Sequence, residues 1–503
     1  MKTFYVTTPI YYVNGKPSIG HAYTAIAADI LARYHRSLGE EVAFQSGTDE
    51  NSQKNVEAAR AAGREDDVQG YLDEMADLWK RTFDALQLTH TRFIRTTESN
   101  HLAAVEMFWK AVEAKGDIYQ GSYEGLYCQG CEAFVTEADL VNGNCPLHQK
   151  PPIVLKEKNY FFRLTAYREA LLEHILTHPR FVLPESRRNE IVSYIRNFMT
   201  DVSISRETMK WGIPVPSDPA QRIYVWFDAL INYITGAGYG TDQAAFEKWW
   251  PAQVQLVGKD ILKFHCALWP AMLLSVGLPL PESVFAHGFF TVDGQKMSKS
   301  LGNVVDPVEM VERYGHDALR YFLMREIPFG GDGDFSEARL QQRYDGDLGN
   351  ELGNLAHRVL TMAEKYVGGV VPERADGFLG EAWPAYRRAM EECRLHDALE
   401  AAWSLVRQAN QYVDQRQPWT LAKNAETKAL ADTLYVLLET LRHLAHMLHP
   451  FLPGFGEGLF QRLGLGTSDQ LALSPPFAEA WGGLEPGTQT SKGEPLFPKR
   501  EES

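Results

Sequence analysis

Apolar residues recur every fourth position at Ile26, Ile30, Tyr34 and Leu38, the repeat of a single helix face. Gly39 stands where a helix C-cap belongs, so the pattern predicts a helix from about Ile19 to Leu38. Ahead of it, Thr-Phe-Tyr-Val-Thr-Thr at 3–8 predicts a short strand, and Pro9 to Pro17, with Asn14-Gly15 inside it, predicts a turn. Val42-Ala43-Phe44 predicts a second strand. Strand, helix and strand in close succession form a βαβ unit, which requires a parallel sheet. A second set of such signals follows later: strands at Ile223 to Phe227, Val254 to Val257 and Val284 to Val292, with a helix around His265 to Ser275. The stretch between the two sets, 116–220, differs in composition and holds three of the five cysteines. It reads as an insertion that splits one α/β domain.

Strand signals stop near residue 340. Leu348 to Tyr366, Tyr386 to Tyr412 and Thr427 to Met447 keep helical apolar spacing with few Gly or Pro, which predicts an all-helical bundle. An acidic, glycine-containing stretch at 330–347 joins the bundle to the α/β body, and the last residues predict a loosely packed tail. The resulting division is 1–115 and 221–290 for the two halves of the α/β domain, 116–220 for the insertion, 291–345 for a connecting region, 346–480 for the bundle and 481–503 for the tail.

Composition narrows the class. The chain has 503 residues, 45% hydrophobic and 23% charged, an ordinary globular mix. Cys266 to Leu280, the longest apolar stretch, is interrupted by Pro270, Ser275 and Gly277 and is too short for a membrane span. The N-terminus lacks the apolar block of a signal peptide, and an odd cysteine count argues against a secreted disulfide scaffold. A soluble cytoplasmic protein is expected. The net charge of −15 is the wrong sign for coating long duplexes, so any nucleic-acid binding must be confined to one face.

Three motifs carry chemistry. Cys128-x2-Cys131 and Cys145-x2-His148 supply three thiolates and an imidazole in two knuckles around Gly143-Asn144, a closed tetrahedral zinc set with no position left for water. Such a site is structural; the alternative is four unrelated residues in a reducing cell. Cys266 and Cys393 read as packing residues. Pro17-Ser18-Ile19-Gly20-His21 opens the first long helix, where unpaired N–H groups and the helix dipole favour an anion. A histidine there is more commonly a cap or a surface residue. Lys296-Met297-Ser298-Lys299-Ser300 follows the Asp293-Gly294 turn and precedes Gly302-Asn303. The commoner meaning of a lysine pair is a solvated loop, but this one follows a core strand, where α/β crevices open.

Ser18-Ile19-Gly20-His21 together with Lys296-Met297-Ser298-Lys299-Ser300 resembles the paired "HIGH" and "KMSKS" signatures of class I aminoacyl-tRNA synthetases. Tyr5 to Asn14, Gly47-Thr48-Asp49-Glu50, Tyr224 to Ala229, Gly258-Lys259-Asp260-Ile261 and Trp211-Gly212-Ile213-Pro214 narrow the resemblance to the methionine branch, of the bacterial kind with one pair of zinc knuckles. It runs from about residue 3 to about 480. It implies a Rossmann-type parallel sheet split by a zinc-binding insertion, then a stem-contact region and a helical anticodon-binding domain. It further implies methionine with its ammonium on Asp49 and the backbone at Ile10, and its thioether among Tyr12, Trp226, Leu230, Tyr233, Phe264 and His265. Aromatic rings suit a soft sulfur, and Tyr12 and His265 are expected to donate weakly to it.

By the same resemblance, ATP and its magnesium lie on Gly20, His21, Lys259 and Asp260. Lys296 and Lys299 close over the phosphates, with Ser18 and His21 beside them. Asn354, Arg358 and Trp419 read the anticodon of tRNA(Met), although a tryptophan near a helix end is more commonly core. Ser18 departs from the pattern, standing where the signature has its first histidine, and Asn51-Ser52 stand where many relatives have His-Gly. Relatives that continue past this chain's end carry a dimerising domain, so a monomer is expected. Two rivals to methionine–tRNA ligation are another class I synthetase and a silent tRNA-binding paralogue.

Overall fold

The computed structural model describes residues 2–128, 133–135, 137–146, 149–292, 294–297, 303–466 and 479–500. Six parallel strands form the central sheet, in the order Arg92–Arg95, Glu41–Asp49, Thr3–Tyr12, Val254–Gly258, Val284–His287, Val182–Leu183. The first strand runs on to Tyr12, beyond the stretch its composition marks, and its partner continues to Asp49. From Thr3–Tyr12 the chain order runs outward to Arg92–Arg95 on one side and through Val254–Gly258 to Val284–His287 on the other, with the earlier Val182–Leu183 added at that edge, so the winding reverses between Thr3–Tyr12 and Val254–Gly258. In open α/β sheets the ligand crevice lies at this switch, beyond the carboxyl ends of the strands.

The predicted first helix spans Ile19–Ser37, with Ile26, Ile30 and Tyr34 buried. Its first turn is tied to the far end of the α/β body, because Ile19 N–H donates to the Val305 carbonyl at 3.1 Å. Met297 lies against the same turn, its Cε 3.7 Å from where a Cβ on Gly20 would stand. The two signature segments, distant in sequence, therefore touch.

Four expectations need correction. Val225 to Phe227 is helical rather than extended: the strand ends at Ile223, and Tyr224 accepts from the N–H groups of Phe227 and Asp228 to open the helix Val225–Leu230. The region 116–220 is not a separate insertion throughout. A long hairpin, Ile118–Cys128 against Ile153–Phe162, forms a separate sheet whose base, at Tyr160 and Phe162, packs into the body's core, and Val182–Leu183 returns to the edge of the main sheet. The joining stretch 330–347 carries elements of its own, Gly333–Phe335 pairing in parallel with Phe290–Val292 and a helix at Glu337–Arg343. The Tyr386 to Tyr412 segment is two helices, Ala382–Glu391 and Leu395–Arg416, broken near Cys393, which has φ +54°.

The tail is not loose where it is described. Buried Glu439 accepts from the N–H groups of Gly482, Gly483 and Leu484 at 2.8–2.9 Å, and Leu484 is fully buried. Trp481 stacks on His443, with ring centres 5.7 Å apart. A buried carboxylate needs such donors, and the glycines let the backbone reach it. Cys266 and Cys393 are buried packing residues, as expected, and burial pushes both thiols up.

The α/β body and the helical bundle share one apolar core, and Arg320 pins them together. Its guanidinium donates to Asp29 Oδ2 at 2.7 Å, and to the carbonyls of Leu86, Pro450 and Phe451 at 3.2, 2.9 and 2.9 Å. Arg320 and Asp29 are both fully buried. Arg320→Met removes the charge and four donated bonds and leaves Asp29 with Arg33 and Thr89 only. Breaking a buried pair costs about 3–5 kcal/mol, so the first unfolding transition in urea should lose about that much. A loss under about 1 kcal/mol would show that the pair is replaceable by packing.

Candidate active site

At the switch point lies a cavity of about 440 Å³. Its walls bring together Ile10, Tyr12, Ser18, Gly20, His21, Asp49, Trp226, Leu230, Tyr233, Asp260, Phe264 and His265, twelve of the residues singled out from sequence. Tyr12 and Asp49 are cross-strand partners at the carboxyl ends of adjacent strands, which places an anionic group beside an aromatic floor. The opposite wall comes from the helix Val225–Leu230 and from a π-helical turn at Phe264–Leu268. Trp226 and Phe264 stack there with ring centres 4.0 Å apart and planes 4° from parallel. One face is thus apolar and aromatic, and a carboxylate also lines the cavity, a composition suited to a small ligand with an apolar part and a cationic group.

Hydrogen bonds fix the tautomers around the cavity. His265 is buried, and burial pushes its pKa down to about 4, so the ring is neutral. Its Nδ1 lies 3.0 Å from the Ile261 carbonyl and must carry the proton; Nε2 therefore accepts from the Tyr233 hydroxyl at 2.8 Å. This corrects the expectation that His265 donates to sulfur, since the nitrogen that bonds Tyr233 has no hydrogen to give. At the helix start, Ser18 N–H donates to His21 Nδ1 at 3.0 Å, and Ser18 Oγ lies at the same distance. The neutral His21 ring then carries its proton on Nε2. The backbone N–H of Ser18 thus sets the tautomer of His21, and the hydroxyl lies against the same nitrogen, a link the sequence did not indicate.

Of the expected residues, Lys259 does not form part of the cavity wall. Lys259 pairs with Asp332 at 2.5 Å and lies over the Phe289 ring, which ties the switch-point strand to the connecting region. Lys296 lies on the strand Gln295–Lys296, its backbone paired with Thr291. Lys299 falls outside the described residues. So do Cys131 and His148; of that set, Cys128 and Cys145 are described and buried. The turn between the knuckles is Asn142-Gly143, both with positive φ, one residue earlier than read from sequence. Among the described residues no group of three or more metal-binding side chains is present.

Residues missed by the sequence reading also line the cavity: Thr24, Lys54, Asn232, His287 and Phe290 among them. Lys54 Nζ lies 4.4 Å over the Tyr12 ring. His287 bonds Thr24 Oγ1 at 2.7 Å and the Gly288 carbonyl at 2.8 Å. No sequence signal marks His287, because the strand expected over Val284 to Val292 places it mid-strand; in the structure the strand ends at His287, and such ends face the crevice.

In the helical domain, Asn354 and Arg358 lie one turn apart on the helix Asn354–Val367, and Arg358 reaches Asp414 at 3.5 Å. Trp419 opens the short helix Pro418–Lys423 and is 44% exposed, against the commoner core reading.

Comparison with known proteins shows the family. The family model described as tRNA synthetases class I (M) matches residues 4–151 and 135–360, and that for the anticodon-binding domain of tRNA ligase matches 379–490. The methionine--tRNA ligase of Thermotoga maritima is 46% identical over 99% of this chain and 80% of its own length. The chain belongs to the methionyl-tRNA synthetase family of class I. The enzyme of that name from Thermosynechococcus vestitus is 43% identical over 99% of the chain and 97% of its own length. The Mycobacterium tuberculosis methionyl-tRNA synthetase in complex with methionyl-adenylate superposes with a TM-score of 0.93 at 40% identity, covering 99% of this chain and all of that one. A free-state structure of the same enzyme gives 0.87 at 37% identity, covering 100% of this chain and 99% of that one.

The buried neutral histidine gives a pH signature. Unfolded histidine titrates near 6.5, while His265 in the fold titrates near 4, so between these values the unfolded chain binds the extra proton. Its contribution is complete above about pH 6.5 and is lost as pH falls toward 4. His265→Gln should make the stability-versus-pH curve shallower by up to about 1.4 kcal/mol per pH unit in that window. Denaturant titrations from pH 4.5 to 7 check this, and parallel curves for the two proteins would contradict it.

Proposed function

We propose that the cavity makes methionyl-adenylate and that the exposed face of the helical domain selects the tRNA. Membership of the family establishes the overall reaction, methionine–tRNA ligation, and disfavours both rivals. The assignment of residues to roles is our reading, and the convergence of Asp49, the aromatic wall and the His21 helix start on one cavity is the observation that carries it.

Methionine's carboxylate is the nucleophile toward the α-phosphate of ATP, and pyrophosphate leaves. No protein base is needed. Asp49 holds the ammonium with the Ile10 backbone beside it; Tyr12, Trp226, Leu230, Tyr233, Phe264 and His265 enclose the thioether. Gly20 gives the triphosphate close approach to the helix start, where N–H groups and dipole favour an anion. His21 Nε2–H is the oriented donor to charge that develops on the phosphates. Asp260, in the cavity wall, serves the nucleoside end, and Lys259 acts through its link to Asp332. Lys296, Lys299 and a magnesium ion carried by ATP supply positive charge. Ser18 acts through His21, so the departure from the signature leaves the donor in place. Methionine-dependent ATP–pyrophosphate exchange tests the reading, and its absence with methionine, or its presence with leucine or valine instead, would overturn it.

Cys128, Cys131, Cys145 and His148 form the proposed structural zinc site, which would hold the tip of the 116–220 hairpin. The burial of the two described cysteines at the end of the hairpin strand and after the Asn142-Gly143 turn supports it. Stripping metal, or Cys145→Ser, should loosen the hairpin and leave the body folded, because only local ligands are lost. Metal analysis in reducing buffer without stoichiometric zinc would end this idea. A stem-contact region at 291–345 and an anticodon-binding domain at 346–480 are proposed on the same footing. A cytoplasmic location and a monomeric state complete the proposed reading.

Asn354, Arg358 and Trp419 are the proposed anticodon readers. The exposed indole supports stacking of an unstacked loop base, with amide and guanidinium groups on base edges. Losing a base–aromatic stack costs about 1–3 kcal/mol, so Trp419→Ala should cut tRNA(Met) charging at least about tenfold and leave pyrophosphate exchange unchanged. Equal loss of both would make Trp419 a packing residue.

A further inference from the structure

The Trp211-Gly212-Ile213-Pro214 motif lies at the end of the 116–220 region and outside the cavity wall, yet it reaches the strand end that carries Asp49. Trp211 Nε1–H donates to the Glu50 carbonyl at 2.9 Å. Gly212, with φ +118°, lies against the same backbone, where an added Cβ would stand 3.6 Å from the Asn51 carbonyl oxygen. Other bonds hold this short stretch from different sides. Asn55 Nδ2 donates to the Asp49 carbonyl at 2.8 Å, and Glu50 N–H donates to Thr96 Oγ1 at 2.8 Å. The buried Glu50 carboxylate takes two bonds from Arg95, at 2.7 and 3.0 Å. The Trp211 bond alone among these comes from the 116–220 region.

A continuous path joins Trp211 to the hairpin. Val202–Ser203 pairs with the hairpin strand Ile153–Phe162, and Ser205–Arg206 pairs with Ile223 and Arg222. Arg222 pairs in turn with Pro214, three residues past Trp211. We propose that Trp211 is a positioning residue for Asp49, through which the hairpin-bearing region sets the affinity for the substrate ammonium. This rests on the reading of Asp49 as the ammonium site.

The test compares methionine with its desamino analogue, 4-(methylthio)butanoate, as a competitor in methionine-dependent pyrophosphate exchange. Trp211→Phe keeps the ring and removes the N–H. It should raise the KM for methionine about fivefold, the effect of one hydrogen bond, with kcat near wild type and the inhibition constant of the desamino compound unchanged. Gly212→Ala, which strains the turn without touching the indole, should show the same selectivity and serves if the first variant folds poorly. Asp49→Asn is the reference and should weaken methionine far more than the analogue. If Asp49→Asn discriminates and neither Trp211→Phe nor Gly212→Ala does, the proposal fails and the Asp49 reading stands. If Asp49→Asn does not discriminate either, both fall.

Discussion

The guanidinium of Arg320 is the constraint on which the arrangement of the two halves depends. A planar fork of donors can satisfy several acceptors at once, and here it meets one carboxylate and three backbone carbonyls drawn from three regions of the chain. Burial alone would raise the Asp29 carboxyl. Arg320 and Arg33, with Thr89, hold it well below the usual carboxylate range. Because Asp29 is on the same helix as His21, the helix that begins the active site is indexed against the loop at Pro450 and Phe451 in the bundle. The catalytic and helical halves thus share a fixed reference, supported by a common apolar core.

Much of this was legible in the sequence, where periodicity and position agree. The helix Ile19–Ser37 shows its buried face at every fourth residue, and the βαβ order of the first two strands is as the pattern predicts, although their ends at Tyr12 and Asp49 lie beyond the stretches that composition marks. Short elements that depend on distant partners were not legible. Gly333–Phe335 is a strand because Phe290–Val292 lies beside it, and no local preference marks it. Val225 to Phe227 has the composition of a strand but is buried within a helix, a case in which packing overrides a weak propensity. The tail looked polar and loose because its anchor, Glu439, is in another helix.

The candidate site divides the same way. The resemblance to class I synthetases, carried by the sequence motifs, pointed to the aromatic wall and the carboxylate, and the structure assembles them around one cavity. Sequence could not show proton positions: the Ile261 carbonyl, not the identity of residue 265, settles which nitrogen of that ring carries hydrogen. Nor could it show Ser18 acting on His21, since a serine at a helix start has several possible partners. The exposure of Trp419 likewise required the fold.

The Asp29–Arg320 bond also constrains how the molecule is made. Arg33 and Thr89, the other partners of Asp29, are synthesised soon after it, but Arg320 follows 291 residues later. At about 5–20 residues per second, the ribosome takes roughly 15–60 s to deliver it. Throughout that interval the nascent α/β half must keep this side of its first helix hydrated, because burying it would cover a carboxylate without its main counter-ion. The early part of the chain can form its strands while it is being translated, yet it closes its core only when the later part arrives.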